Sequence, residues 1–91
     1  MDEIRVLHVD DDPEFAAMAA QFLKRADDRF VVETAAGASE GLDRLAAGGI
    51  DCVVSDYDMP GRNGIEFLGD VRETHGDLPF VLFTGKGSEE I

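Results

Sequence analysis

Three consecutive aspartates, Asp10, Asp11 and Asp12, follow one apolar run, and Asp56 with Asp58 follows another. Thr84 closes a third apolar run. Carboxylates gathered in one place repel: two of them about 4 Å apart, at an effective dielectric near 20, do so by roughly 4 kcal/mol. Such a cluster takes up a proton or binds a cation. An all-oxygen donor set with room for water suits Mg²⁺. Taken alone, the triplet reads as a solvated acidic turn with a helix cap, and Asp56 as a turn former. The joint pattern favours a site, because three run ends each deliver a residue able to serve one.

The elements that must position these residues follow from the apolar pattern. Ile4 to Val9 is a β-branched, apolar run and predicts a buried strand. Asp12 is placed to cap a helix with Pro13 at its first position and Glu14 in its first turn. Phe15, Met18, Ala19, Phe22, Leu23 and Ala26 then share one helical face. Asp27 to Arg29 make a turn, and Phe30 to Ala35 a second strand. Ser39 is the expected cap of a second helix, with Leu42, Leu45 and Ala46 inward and Gly48-Gly49 stopping it.

Cys52 to Ser55 predict a third strand ending at Asp56, and Asp58 to Gly64 a loop. A third helix is expected from about Ile65 to His75, with Ile65, Leu68 and Val71 on its apolar face and Gly76 ending it. Phe80 to Phe83 predict a fourth strand, closed by Thr84-Gly85, and Ser88 the cap of a fourth helix. Apolar strands alternating with helices imply a parallel sheet covered on both faces. Functional groups of such sheets gather at the carboxyl ends of the strands. Asp10 to Asp12, Asp56 and Thr84 all fall there.

The runs V-D-D-D-P (Val9 to Pro13), V-S-D-Y-D-M-P-G-R-N-G (Val54 to Gly64) and F-V-L-F-T-G (Phe80 to Gly85) resemble the receiver domain of two-component response regulators. The resemblance spans the chain, so residues 1–91 are expected to form one receiver domain. It implies an α/β, flavodoxin-like, doubly wound parallel sheet of order 2-1-3-4-5, with the fifth strand and last helix absent from this chain. It further implies that Asp56 is the phosphoacceptor and Asp11 a direct Mg²⁺ ligand. Asp10 would act mainly through a metal-bound water, and the main-chain carbonyl of Asp58 would supply another ligand. Thr84 matches the switch hydroxyl that bonds the attached phosphoryl group, and Gly85 leaves an open path to it. Asp12 falls outside the acidic pair and reads as a helix cap. The implied partner is a sensor histidine kinase.

The chemistry agrees with these implied roles. A carboxylate attacking a phosphoryl group is anion against anion, and a divalent cation offsets that repulsion. An aspartyl nucleophile has precedent in aspartyl-phosphate enzymes. Pro60 stiffens the loop after Met59, and Gly64 is expected to relieve backbone strain where the loop enters the third helix.

Two departures from the family pattern stand out. The family's fifth-strand lysine has no counterpart here, since neither Lys24 nor Lys86 occupies an equivalent place. Asp58 and Lys86 hold two positions that vary in the family and tune how long the phosphoryl group persists. They read either as an ion pair across the site mouth or as a lysine pointing into solvent.

Other residues read as structure. His8 lies in a nearly continuous apolar strand, His75 closes a helix, and the phenylalanines sit at core spacings. Gly85-Lys86-Gly87-Ser88 lacks the spacing of a phosphate-binding P-loop. Asp56-Tyr57-Asp58 also resembles the D-x-D pair of haloacid-dehalogenase-like phosphatases. However, Pro60 stands where those enzymes carry Thr or Val. A pseudo-receiver, binding partners without phosphorylation, is the other rival; the acidic pair, Asp56 and Thr84 argue against it.

Composition narrows the setting. The 91 residues carry 20 acidic and 8 basic side chains, a net charge of −12. That balance disfavours nucleic acid and anionic membrane surfaces as partners of this domain. Cys52 is the single cysteine, so no internal disulfide forms and a reducing cytoplasm is the expected compartment. Twelve aspartates and only two lysines resemble the surfaces of proteins from salt-loving organisms, a haloarchaeal source among them. With no fifth strand, an exposed apolar edge at Phe80 to Phe83 is expected to drive dimerisation, element swapping or aggregation.

Overall fold

The computed structural model describes residues 3–83. Four strands and three helices alternate: β1 (Ile4–Val9), α1 (Pro13–Ala26), β2 (Phe30–Ala35), α2 (Ala38–Ala46), β3 (Cys52–Asp56), α3 (Gly64–His75) and β4 (Phe80–Phe83). The strands form one parallel sheet of order β2-β1-β3-β4, as expected for the doubly wound, flavodoxin-like class. The expected fourth helix, with Ser88 as its cap, lies outside the described residues, as do Thr84, Gly85 and Lys86.

Strand alternation divides the chemistry between the two faces. Leu7, Val9 and Val53 point to the side where Leu45 of α2 and Phe67 and Val71 of α3 complete the buried core. Phe67 is fully buried and tilts against Phe80, their centroids 5.6 Å apart. Truncating such a side chain to alanine costs about 3–5 kcal/mol. On the opposite face the ring of His8 meets Phe15 of α1 and stacks on Phe83 of β4. His8 is therefore buried among aromatic rings, in keeping with a structural reading.

Local signals explain most element ends. Asp12 caps α1 as expected: its side chain accepts from the amides of Glu14 and Phe15. Three expectations are corrected. Ser39 is not the cap of α2; Gly37 holds that position without a side-chain bond, and Ser39 lies inside the helix. α3 begins at Gly64, capped by Asn63, whose side chain accepts from the Glu66 amide while Glu66 reaches back to the Asn63 amide. That start turns the helix so that Gly64, Phe67 and Val71 face inward, and Ile65 is 52% exposed. Finally, the apolar stripe of α1 is only partly packed among the described residues: Met18 and Phe22 are 61% and 71% exposed. Phe22 is thus not a core phenylalanine.

The carboxyl ends of β1 and β3 lie side by side because β1 pairs with β3, with Val9 opposite Ser55. Asp10, just after β1, and Asp56, the last residue of β3, are thereby brought together.

Candidate functional site

The residues after β1 turn sharply. The Asp12 amide donates to Asp10 Oδ1 at 2.9 Å, while the Asp12 carboxylate serves the helix start. Successive aspartates are thereby given different tasks. Asp12 belongs to α1, and Asp10 remains at the strand end, buried. Asp56, the last residue of β3, is 1% exposed. Asp11 is exposed.

One carboxylate oxygen from each of Asp10, Asp11 and Asp56 lies within 4.8 Å of the others. At that separation and an effective dielectric near 20, each ionised pair repels by about 3 kcal/mol. A hard divalent cation held by oxygen donors relieves that repulsion, and the donor set fits Mg²⁺. An open cleft of about 340 Å³ adjoins the cluster, walled by Asp10, Asp11, Pro13, Thr34 and Glu40. Glu40 holds the start of α2 by accepting from the Ala36 amide at 3.3 Å.

The peptide units around Asp56 are held from several sides. The Tyr57 amide donates to the Phe83 carbonyl at 3.0 Å, and Ser55 Oγ donates to the Asp56 carbonyl at 3.0 Å. The Gly64 amide donates to the Tyr57 carbonyl at 2.8 Å, closing the loop from Asp58 to Asn63 on itself. Within that loop Gly61 adopts φ +85°, a conformation that favours glycine. Gly64 has no positive φ, so it does not relieve the backbone strain that the sequence led us to expect there. A Cβ built on Gly64 would fall 2.6 Å from the Asp56 carbonyl oxygen and 3.0 Å from Tyr57 Cα. It would also fall 2.4 Å from Leu82 Cδ1. That close approach is a feature of the site the sequence concealed: its only signal was a glycine where a loop becomes a helix.

Of the candidate site residues, Asp10, Asp11 and Asp56 converge. Asp58 lies on the exposed loop two residues beyond Asp56. Thr84, Gly85 and Lys86 fall outside the described residues, so the Asp58–Lys86 pairing is not among the contacts described. Elsewhere, burial and the neighbouring Asp51 raise the Cys52 thiol above its ordinary range. Among the described residues no helix is long and apolar enough to cross a membrane.

Comparison with known proteins bears on the whole chain. A family model described as the response regulator receiver domain matches residues 6–91. The transcriptional regulatory protein CpxR of Escherichia coli is 35% identical over 85 residues, covering 93% of this chain and 35% of CpxR. The chain thus spans about a third of the length of that curated relative. The crystal structure of the response regulator TrrA of Thermotoga maritima in complex with Mg²⁺-BeF superposes with a TM-score of 0.84 at 30% identity. That match covers 92% of this chain and 71% of TrrA. TrrA in complex with the histidine kinase ThkA matches with a TM-score of 0.82 at 30% identity, covering 90% of this chain and 69% of the other.

Proposed function

This chain belongs to the response regulator receiver family, and from that premise we propose that Asp56 accepts a phosphoryl group from a sensor histidine kinase. The observation that carries the proposal is the convergence of Asp10, Asp11 and Asp56 at adjacent strand ends. The match to a response regulator in complex with a histidine kinase supports the kind of partner. We take residues 1–91 as one receiver domain; the output it controls belongs to the protein as a whole.

In this reading Asp11 and Asp56 would hold Mg²⁺ directly, Asp10 would act mainly through a metal-bound water, and the Asp58 carbonyl would supply a further donor. Mg²⁺, when bound, supplies positive charge between two anionic reactants. An Asp56 carboxylate oxygen attacks phosphorus, the bond from phosphorus to the donor's leaving group breaks, and an acyl phosphate forms. Burial of Asp56 at the base of the site holds its attacking oxygen in one direction. The added charge is then read by the Thr84 hydroxyl, with Gly85 leaving the approach open. Asp58 and Lys86, at two positions that vary in the family, set how long the phosphoryl group persists. The domain is a stoichiometric phosphoacceptor, not a turnover enzyme. Its setting is the cytoplasm, and its acidic surface suits high salt; a melting midpoint that fails to rise with KCl would remove the second of these readings.

The test is intact mass after incubation with a small phosphodonor and Mg²⁺. The parent should gain the mass of one phosphoryl group, and Asp56→Asn should gain none. Repeated release of inorganic phosphate without a retained adduct would overturn the proposal.

A further inference from the structure

We propose that Gly64 is a positioning residue for Asp56: the absence of a side chain there sets where the phosphoacceptor carboxylate stands relative to Asp10 and Asp11. The inference rests on the phosphoacceptor reading above. Glycine is not needed at this position for its backbone freedom, because φ is not positive. It is needed for proximity. The first residue of α3 lies against the main chain of the last residue of β3, and a methyl group would approach the Asp56 carbonyl oxygen to 2.6 Å.

The neighbours differ in how readily they yield. Leu82 Cδ1, at 2.4 Å, is the tip of a flexible side chain and can rotate away. The Asp56 carbonyl is main chain, and it already accepts from Ser55 Oγ. The Tyr57 N–H of the same peptide unit donates to the Phe83 carbonyl of β4, and the next unit is tied to α3 by the Gly64 N–H donating to the Tyr57 carbonyl. Asn63 and Glu66 hold the first turn of α3 by their reciprocal bonds, so that turn does not simply unwind to make room. A side chain at position 64 therefore rotates the Asp56 peptide or pushes α3 back, taking Tyr57 with it. Either change moves the Asp56 carboxylate. Asp10 and Asp11 follow β1, and neither is among the nearest neighbours of a Cβ at Gly64, so they are not displaced with it. A cation that needs oxygens from all three loses its geometry.

The experiment compares the parent, Leu82→Val, Gly64→Ala and the double variant Gly64→Ala/Leu82→Val. Valine removes the δ carbons that a new Cβ would strike. Three quantities are read: the metal-free melting midpoint, the Mg²⁺ concentration at half-saturation from amide and carboxyl chemical shifts, and the phosphorylation rate with a small phosphodonor. The expected result is that the double variant folds with a midpoint above that of Gly64→Ala, because the Leu82 clash is gone, and below that of Leu82→Val, because the main-chain clash remains. Its Mg²⁺ half-saturation should remain raised by roughly ten-fold or more, the range typical of disturbed metal-supporting residues, and its phosphorylation should stay slow.

Recovery of Mg²⁺ affinity together with the midpoint in the double variant would make Gly64 a packing residue and overturn the inference. So would failure of the double variant to fold. If Gly64→Ala alone does not fold, the double variant against Leu82→Val decides. A parent that binds no Mg²⁺ and forms no phosphoryl adduct overturns the phosphoacceptor reading, and this inference with it.

Discussion

Arg44 donates through Nε and Nη2 to the two carboxylate oxygens of Glu33, the Nη2 bond measuring 2.9 Å. Arg5 adds a third bond to the same carboxylate, from Nη1 at 3.3 Å. The three residues stand on α2, β2 and β1, so one carboxylate ties together a helix and two strands. A planar guanidinium met at both oxygens is a stronger arrangement than a single surface contact. Glu33→Gln should lower stability by about 1 kcal/mol. In a domain of this size that is a fall of about 4–8 °C in melting midpoint. An unchanged midpoint would mean that the network is solvent-screened and idle.

The same carboxylate sets part of the acid response. The hydrogen bonds from Arg44 hold Glu33 below its ordinary value of 4.5. The side-chain bond from Arg29 holds Asp27 down at about 2, from an ordinary 3.8. A group whose pKa is lowered on folding contributes stability above its unfolded pKa and loses it as pH falls through the folded value. Stability should therefore be fully present above about pH 5 and decline from there toward pH 2. Asp27→Asn and Glu33→Gln should each flatten that decline in urea titrations at stepped pH. A slope identical to the parent's in both variants would assign the acid limb to other carboxylates.

The acidic trio makes a prediction about stability as well as activity. Mg²⁺ that binds only the folded state raises the melting midpoint in proportion to the logarithm of its concentration. The parent should show that rise. Asp56→Asn should be more stable than the parent without metal, because two repulsive pairs vanish, and should respond far less to Mg²⁺. Differential scanning calorimetry across a Mg²⁺ series checks both halves. A parent whose midpoint ignores Mg²⁺ would contradict the site.

The reciprocal bonds of Asn63 and Glu66 give a simpler test. Replacing a capping asparagine by alanine costs about 1 kcal/mol. Asn63→Ala should lose that much in chemical denaturation without a change in the dependence on denaturant. A larger loss would mean that the cap also holds the loop from Asp58 to Asn63.

Exposed Phe22 and Met18 lie on the helix face that carries Phe15, and Phe22 and Phe15 line a groove with His8, Val81 and Phe83. Val81, on the edge strand of the described sheet, is 55% exposed. Self-association of the 91-residue chain should therefore rise with salt, and Phe22→Gln with Val81→Lys should suppress it in light scattering. Because Phe22 is exposed, Phe22→Gln alone should leave the melting free energy within about 0.5 kcal/mol. A monomeric parent at high salt would contradict the expectation.

The strands were legible because each is a short run of β-branched or aromatic residues ending at Asp, Thr or Ala. Helix existence was legible too; helix phase was less so. In α3 the pattern Ile65, Leu68, Val71 spreads over about 120° of the helix, and the pattern Gly64, Phe67, Val71 over about 60°. The first looks more apolar, and glycine carries no apolar signal at all. Contact with β3 decides for the second, and that is a tertiary fact. The same holds for Gly37, where a cap without a side-chain bond leaves no mark that Ser39 does not outshine. The acidic trio was visible as two separate strand ends. That the ends are neighbours depends on β1 lying between β2 and β3, which no local pattern states and which the family resemblance supplied.

That strand order has a kinetic meaning. β1 finds β2 across one helix, but its pairing with β3 joins residues 46 apart, as between Arg5 and Asp51. Closing so long a segment carries an entropic cost that is recovered only when both flanking helices are packed. Asp10 and Asp56 are separated by the same interval, so no partly folded chain that lacks the β1–β3 pairing brings the acidic trio together. Occupancy of the acidic site therefore reports completion of the fold: a chain able to hold the cation has already joined its first strand to its third.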